Sequence, residues 1–313
     1  MLDLAVVIVT WNNQDIINNA LRSLLDDLRT TALDYQVWVV DSASSDKTVD
    51  VIRTNFPDVT VIASDENLGF GRANNLAMRE MGFERDKPTS DLPRAVYLLN
   101  PDTVTHHGAT QALYEALMSH DDVGGVGARL TFGDGSFQHS AFMFPGLGQL
   151  WAEFFPTPGR LIEGAFNGRY KLAQYQSDKP FSVDFTLGAT TMFKREVLIQ
   201  TGLFDEDFLI YCEEVDWAWR IHKAGWHILC VPQAHVTNLG GQSTSQVRAW
   251  STLNLWKSRL HLYDKHYPLW KRWLARRLVM LGMRRKIAQL DPQTPNYDDV
   301  LSAYQTVYDM AKS

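Results

Sequence analysis

The sequence LAVVIVTWN, residues 4–12, decides the fold class. Its first six residues are apolar and most of them are β-branched, which is typical of a strand buried on both faces of a sheet. The polar turn Thr10-Trp11-Asn12 then ends the run. Because such strands belong to parallel sheets covered by helices, this opening predicts an α/β protein.

The same alternation continues to about residue 102. The predicted elements are a helix at 14–29, a strand at 36–40, a helix opened by Ser45-Asp-Lys-Thr48, a strand at 59–62, a helix at 72–82 and a strand at 95–99. Alternation of strands and helices predicts a parallel sheet, in which ligands bind beyond the carboxyl ends of the strands. The predicted strands are followed by polar residues, so we expect a site at this edge.

The second half of the sequence is less regular. Its predicted extended segments lie at 123–132, 137–144, 181–185, 190–193 and 228–231, and its predicted helices at 194–201 and 211–220. Residues 145–180 are rich in Gly, Pro and aromatic residues and have no clean period. Two alternatives stay open for this segment: a mobile loop over the site, or an irregular packed insertion.

The C-terminal segment differs in character from the rest. Apolar residues recur there at roughly helical intervals with basic residues between them, and they are Leu269, Trp270, Trp273, Leu274, Leu278, Leu281 and Met283. This basic amphipathic pattern predicts a helical extension over 246–313. Residues 269–286 either lie on an anionic membrane surface or pack their apolar side against the preceding domain.

Composition limits the class of protein. The 313 residues are 45% hydrophobic and 21% charged, as in a globular chain with a substantial core, and the net charge of -6 argues against nucleic-acid binding. Cys212 and Cys230 are the two cysteines, and reduced thiols are the default for them. We expect a cytoplasmic protein, because no apolar run reaches the length of a membrane span and the opening lacks the basic start of a signal peptide.

A set of ordered motifs carries a family resemblance. The first half contains Val7-Ile8-Val9-Thr10-Trp11-Asn12, Val39-Val40-Asp41-Ser42, Asn67-Leu68-Gly69-Phe70-Gly71-Arg72-Ala73-Asn74-Asn75 and Leu99-Asn100-Pro101-Asp102. The second half adds Gly188-Ala189, Gly202-Leu203-Phe204-Asp205-Glu206, Tyr211-Cys212-Glu213-Glu214-Val215-Asp216 and His235. In this order, from Leu4 to Ser243, the set resembles the family 2 glycosyltransferases. It is most similar to the branch that contains rhamnosyl- and galactofuranosyltransferases.

The resemblance implies a fold and an activity. The fold is GT-A, with a Rossmann-like nucleotide-binding half at 1–105, an acceptor-binding half at 106–245, a mixed sheet, and the helical extension. The activity is inverting, metal-dependent transfer of a sugar from a pyrimidine nucleoside-diphosphate donor, either a UDP-sugar or a dTDP-sugar, with dTDP-rhamnose the best single candidate. The acceptor is a glycan or lipid-linked glycan of a cell-surface polysaccharide. The expected location is the cytoplasm, with a peripheral position on the inner face of the cytoplasmic membrane if residues 269–286 contact it.

The donor residues follow from the first half of the set. In the family, the position of Asp41 accepts the imide N–H of a pyrimidine, although a carboxylate after a strand also serves as a turn cap. Thr10 and Asn12 frame the nucleotide, while Trp11 either packs beside the base or fills core. The segment with Asn67, Gly69, Arg72 and Asn75 brings glycines and a guanidinium to a helix start, which suits phosphate, although a structural turn has the same composition.

The metal residues depart from the family's Asp-x-Asp signature. Asn100-Pro101-Asp102 holds its place, with Asn in the first position. Mg²⁺ or Mn²⁺ needs few carboxylates when substrate phosphates and water complete its shell, so Asp102 suffices together with the diphosphate. The resemblance assigns His235 to the same ion. A strand followed by Asn-Pro-Asp is also compatible with a simple turn.

The catalytic base is expected at the start of a helix. The family usually has Glu-Asp there with Asp as the base, and in this sequence Glu214 occupies that position. Glu213 is the substitute, and it shares a helix face with Asp216, three residues on, whereas Glu214 points elsewhere. Gly188, Ala189, Asp205 and Asp216 belong to the acceptor side of the resemblance.

Three rival functions are weighed against this one. A sugar nucleotidyltransferase requires a basic, glycine-rich loop directly after the first strand, where this chain has Thr10-Trp11-Asn12-Asn13. A dehydrogenase fails because the Gly-x-Gly-x-x-Gly turn is absent there. A non-catalytic GT-A scaffold that binds glycans or nucleotides is disfavoured because Asp41, Asp102, Glu214 and His235 are kept together.

Overall fold

A computed structural model describes residues 2–84, 88–240 and 248–312. The strands are β1 Leu4–Thr10, β2 Tyr35–Ser42, β3 Thr60–Ser64, β4 Ala95–Leu99, β5 Thr103–Thr105, β6 Val123–Thr131, β7 Phe137–Gln138, β8 Ala141–Phe142, β9 Phe181–Val183, β10 Phe185–Thr186, β11 Thr190–Lys194 and β12 His227–Asn238. The helices are α1 Ile17–Leu28, α2 Thr48–Asn55, α3 Gly69–Met81, α4 Ala109–Met118, α5 Leu147–Phe154, α6 Gly159–Ile162, α7 Leu172–Tyr175, α8 Arg195–Thr201, α9 Glu213–Lys223, α10 Arg248–His266, α11 Leu269–Ala288 and α12 Tyr297–Lys312.

The main sheet is mixed. Its strand order is β3-β2-β1-β4-β11-β6-β12-β5, with β7 beside β6 and β9 beside β12. Strands β1 to β4 run parallel, as the alternation predicted, and β11 then pairs antiparallel with both β4 and β6. Because β2 and β4 lie on opposite sides of β1, the chain reverses its winding direction there, which is where open α/β sheets bind ligands.

The first strand is buried on both faces, as its sequence predicted. Residues 4–8 of β1 have no exposed surface, and they contribute alternately to two hydrophobic clusters, one on each side of the sheet. Helices α1 and α4 cover one side with faces such as Ile17, Leu21, Leu24 and Leu28. Helices α3 and α9 cover the other side. The two layers position the carboxyl ends of β1, β2 and β4 at one edge.

Residues 145–180 form a packed insertion, the second of the two alternatives. They contain α5, α6, a short 3-10 turn and α7. Leu150 and Phe154 of α5 are buried against the C-terminal helices. The aperiodic sequence reflects several short elements in succession instead of one long one.

Helices α10 to α12 and α5 share a third hydrophobic cluster. It includes Trp256, Tyr263, Ala275, Val279 and Val307. The boundary predicted between domain and extension, at 245/246, lies outside the described residues. Among the helices described, none has the length and apolar character needed to cross a membrane.

Candidate active site

The exits of β1 and β2 form an ordered polar loop system. The carboxylate of Asp41 accepts hydrogen bonds from Ser44, at 2.9 Å from the backbone nitrogen and 2.5 Å from the hydroxyl. The Ser44 hydroxyl oxygen also accepts the backbone N–H of Asn12, and the Asn12 amide oxygen accepts that of Ser45. Asp41 therefore does act as a turn cap, and its buried carboxylate fixes the two loops to each other.

Trp11 stands in front of these loops. Its side chain is 40% exposed, so of its two predicted roles, core filling does not apply. Thr10, directly before it, is buried and accepts a hydrogen bond from the Asn13 amide. The indole is thus an open aromatic surface at the strand edge, suited to stacking on a flat ring.

Helix α3 begins at Gly69, three residues before its predicted start. The backbone φ of Gly69 is +69°, and a Cβ there would collide with the carbonyl oxygen of Leu209, so only glycine fits. Asn67 accepts the Gly69 N–H, and Arg72 forms an exposed ion pair of 3.0 Å with Glu66. The N-terminus of this helix directly contacts the segment that leads to α9.

Asn75 joins the two halves of the domain. Its amide nitrogen donates to the Phe204 carbonyl and to Glu206, both at 2.9 Å, and its oxygen accepts the Phe204 N–H. The side chain is fully buried and its polar atoms are occupied by the protein. The predicted donor residue Asn75 is therefore placed as a connection between α3 and the loop before α9.

The segment after β4 connects the donor edge to the acceptor half. The backbone nitrogen of Asn100 donates to the Ala189 carbonyl at 2.9 Å. Next to Ala189, Gly188 faces both the Phe70 ring and Glu214. The structure thus brings Asn100, Gly188, Ala189 and Glu214 together, although they come from three distant parts of the sequence.

Asp102 has the properties of a cation ligand. Burial raises the pKa of its carboxyl group, and among the described residues no Lys, Arg or His nitrogen lies within 4.0 Å of it. A partly buried carboxylate without a cationic partner suits Mg²⁺ or Mn²⁺, which prefer oxygen ligands. The residues present therefore fit the predicted divalent ion at this point.

His235 does not lie beside Asp102, which corrects the prediction that the two hold one ion. Strand β12 pairs antiparallel with β5, so that Leu239 donates to the Asp102 carbonyl and His106 donates to the His235 carbonyl. The four-residue offset along the strand corresponds to about 13 Å. The His235 ring instead stacks on His106, with centroids 4.0 Å apart, and its Nε2 lies 2.9 Å from the Thr131 hydroxyl.

The carboxylates at the start of α9 occupy different surroundings. Tyr211 and Cys212 both have φ of +68°, a bend that starts the helix abruptly. Glu213 is buried, and its Oε2 has no hydrogen-bond partner among the described residues. Burial and, second, the charge of Glu214 raise the pKa of Glu213 well above its usual range, and burial also raises the pKa of Glu214.

Glu214 lines a cleft of about 460 Å³. The cleft lies between α5, the start of α9 and α10, and several polar side chains face it, among them Glu153, Arg169, Tyr211 and Arg259. Arg259 pairs with Glu153 across it, and Arg169 pairs with Glu163 at 2.6 Å. Sequence analysis missed Glu153, Arg169 and Arg259 because they come from the aperiodic insertion and the extension, where periodicity gives no signal.

Asp205 and Asp216 form an ion-pair network with α10. Lys265 lies 2.5 Å from Asp205 and 2.7 Å from Asp216, and His266 donates to Asp216 at 2.7 Å. Arg220 adds a bond of 2.9 Å to Asp216. Asp205 also lies near Asp207 and His261, a grouping with metal-binding atom types, but Lys265 already neutralises Asp205. The two predicted acceptor-side carboxylates thus attach the extension to the domain.

A family model decides the classification. The model described as glycosyl transferase family 2 matches residues 5–202, the part of the chain that contains the sheet edge and the Gly188 turn. The chain belongs to glycosyl transferase family 2. It is therefore a glycosyltransferase, as its motifs predicted, and the helical extension lies beyond the matched residues.

A curated relative supports the predicted branch of the family. The N-acetylglucosaminyl-diphospho-decaprenol L-rhamnosyltransferase of Mycobacterium tuberculosis is 29% identical over 281 residues, which cover 87% of this chain and 89% of the relative. The same protein from a second strain of that organism matches equally well. The similarity to this relative therefore extends over more of the chain than the family model matches.

Solved structures confirm the GT-A fold. The mannosyltransferase PcManGT from Pyrobaculum calidifontis, in complex with GDP-Man and Mn²⁺, has a TM-score of 0.56 and 17% identity over 99% of this chain and 84% of its own. GalNAc-T7 with UDP, GalNAc and Mn²⁺ has a TM-score of 0.58 and 14% identity over 99% of this chain and 56% of its own. S. aureus TarS 1-349 has a TM-score of 0.52 and 13% identity over 99% of this chain and 91% of its own. At these identities the likeness shows the fold alone.

Proposed function

We propose that this glycosyltransferase transfers L-rhamnose, with inversion, from dTDP-rhamnose to a lipid-linked N-acetylglucosaminyl diphosphate. The donor class is supported by the ordered loops around Asp41 and the open face of Trp11, which suit a pyrimidine nucleotide. The sugar and the acceptor are supported by the activity for which the mycobacterial relative is named. The product is a lipid-linked disaccharide for a cell-surface polysaccharide, and the enzyme acts at the inner face of the cytoplasmic membrane.

The position of Glu214 carries the proposal. Its side chain lies between the Gly188 turn, which is hydrogen-bonded to the donor edge through Ala189 and Asn100, and the open cleft on the other side. A donor at the sheet edge and an acceptor in the cleft would thus approach the same carboxylate from opposite sides. Inverting transfer requires a base in this arrangement, on the acceptor side of the reacting carbon.

The transfer is a single displacement. Glu214 accepts the proton of the acceptor hydroxyl, and an electron pair of that oxygen forms the new bond to the anomeric carbon. The bond from that carbon to the diphosphate oxygen breaks, and the diphosphate leaves with its electrons. The raised pKa of Glu214 makes its carboxylate a stronger base than an exposed glutamate.

Asp102 would hold Mg²⁺ or Mn²⁺ together with the diphosphate oxygens. When bound, the ion stabilises the charge that develops on the leaving diphosphate, as a Lewis acid. Arg72, whose guanidinium is partly exposed at the start of α3, would exchange Glu66 for a phosphate oxygen.

The test is a transfer assay with purified protein. Radiolabelled dTDP-rhamnose is supplied with a polyprenyl-diphospho-N-acetylglucosamine acceptor, with UDP-galactose and GDP-mannose as competing donors. We expect one labelled disaccharide lipid, formed from dTDP-rhamnose, whose anomeric configuration by NMR is opposite to that of the donor. Transfer from another donor, or retention of configuration, would overturn the proposal.

A further inference from the structure

Helix α11 has two apolar faces on opposite sides. Ala275, Val279, Gly282 and Met283 are buried and pack on α5 and α12. Gly282 is required there, because a Cβ would collide with the ring of Phe154. Four further apolar residues recur at i, i+3, i+4 and i+11, namely Trp270, Trp273, Leu274 and Leu281, and this spacing places them on the opposite side of the helix.

The outer face is open to solvent. Trp270 is 63% exposed, Trp273 57% and Leu281 52%. Indole rings at this exposure cost free energy in water, and contiguous apolar faces of this kind mark interaction sites. The two alternatives for 269–286 therefore apply to different sides of one helix: the inner face packs on the domain, and the outer face is left for a partner.

Charge indicates which partner fits. Helix α11 has no acidic residue and seven basic ones among its 20 residues, in a chain whose net charge is -6. Most of the basic side chains contact Asp264, Glu153, Tyr308 or Pro145, but within the described ranges Arg277 and Arg285 have no acidic atom within 4.0 Å. Arg277 instead lies over the ring of Trp273, beside the outer face.

We propose that the outer face of α11, formed by Trp270, Trp273, Leu274, Arg277 and Leu281, docks on a lipid bilayer with anionic headgroups. Tryptophan and leucine side chains enter the region between headgroups and acyl chains, where indole rings are favoured. Arginines beside them bind lipid phosphates. The helix lies flat on the surface and does not cross it, because its seven basic residues make it too polar to span a bilayer.

The helix that carries the docking face is hydrogen-bonded to the rim of the acceptor cleft. Tyr267, just before α11, and Lys271, in its first turn, both donate to the carbonyl oxygen of Pro145, and Pro145 lines the cleft. A docked helix would thus hold the cleft at the bilayer surface. This consequence rests on the proposed function, since it explains how a lipid-linked acceptor enters, whereas docking itself does not depend on the acceptor.

The test is co-sedimentation of the full chain, without substrates, with vesicles of phosphatidylcholine alone or mixed equally with phosphatidylglycerol. We expect binding to the mixed vesicles that weakens as salt rises. Trp270→Ser with Trp273→Ser should lower the bound fraction at least about tenfold. Arg277→Gln and Arg285→Gln should each weaken it about fivefold at low salt.

Control measurements separate docking from folding and from catalysis. Ile199→Ser, which removes an equally exposed apolar side chain on α8, should bind vesicles like the unaltered protein. The tryptophan variant should keep the melting temperature and the transfer rate to a detergent-dispersed acceptor. Absence of binding to mixed vesicles, or full binding by the tryptophan variant, would overturn docking without affecting the proposed function. A concentration-dependent dimer abolished by Trp270→Ser with Trp273→Ser, without vesicle binding, would assign the face to a second copy.

Discussion

Glu213 and Glu214 are neighbours in sequence, but α9 directs them into different surroundings. Glu213 lies inside the domain near Gly71 of α3, whereas Glu214 borders the cleft. Two carboxylates so close cannot both be charged without repulsion, and the more buried one has the more strongly raised pKa. We therefore infer that Glu213 holds the proton and that Glu214 accepts one during transfer.

Replacement of each glutamate by glutamine tests this division. Glu214→Gln removes the basic group, so we expect single-turnover transfer at saturating donor to fall by about two to four orders of magnitude while donor binding persists. Glu213→Gln resembles the protonated acid and should have a small effect. If Glu213→Gln were the inactive variant, the roles of the two residues would be reversed.

Asp102 is the second residue whose role can be isolated. Asp102→Asn removes the charge that suits a divalent ion, so nucleotide affinity in the presence of Mg²⁺ should fall to the value measured in chelator. Isothermal titration with dTDP under both conditions gives the comparison. Asp65→Asn, at an exposed carboxylate after β3, serves as the control and should keep the metal effect. If nucleotide affinity still depended on Mg²⁺ in Asp102→Asn, Asp102 would not be the metal ligand and the ion would bind elsewhere.

Attachment of α10 to α9 depends on a buried carboxylate. Burial raises the pKa of Asp216, but hydrogen bonds from His266 and Lys265 and the charges of Arg220 and Lys265 outweigh it and hold the pKa far below its usual range. A group of this kind stabilises the fold in its charged form. We therefore propose three separate functions for the three acids at the helix start: a proton-holding interior group, a base and a structural anion.

Asp216→Asn should lower the free energy of unfolding by about 3 kcal/mol. This value is at the lower end of the range for breaking a buried ion pair, because the side chains of Lys265 and Arg220 that lose their partner still reach solvent. Because the folded pKa is depressed, this contribution is fully present above the unfolded pKa of about 3.9 and is lost progressively as pH falls from there through the folded pKa. Urea unfolding at pH 7 measures the full contribution, and unfolding at pH 3 measures the start of its loss. Asp264→Asn removes partly exposed ion pairs between α10 and α11, and it should cost less than about 1 kcal/mol. Equal effects of the two variants would contradict the structural role.

Sequence patterns predicted local elements well and long-range neighbours poorly. The four parallel strands were predicted to within a few residues, because a run of β-branched residues such as Val6 to Val9 has few other stable states in a domain. The predicted position of His235 beside Asp102 was wrong. A bulge between Val231 and His235 and the register of β12 with β5 decide which residues lie side by side, and the sequence pattern gives neither. The contact of Asp216 with α10 likewise depends on how the helices pack against each other. The spacing of residues within one helix does not predict that packing.

A ligand that binds only the native state stabilises the whole molecule against unfolding. UDP or dTDP with Mg²⁺ or Mn²⁺ should therefore raise the melting temperature more than GDP or ADP does, and saturation at a hundredfold excess over Kd corresponds to about 2.7 kcal/mol. A thermal-shift panel with and without metal measures this. Equal stabilisation by purine and pyrimidine nucleotides would contradict the assigned role of the Asp41 loops.

The open cleft beside Glu214 affects how much sugar nucleotide the enzyme consumes. When no acceptor fills the cleft, the base faces solvent, so a water molecule can take the position of the acceptor hydroxyl. We expect slow release of free sugar from the donor under these conditions, which acceptor suppresses and Glu214→Gln abolishes together with transfer. Such hydrolysis raises the consumption of sugar nucleotide above one molecule per linkage formed, and abundant acceptor keeps this excess small.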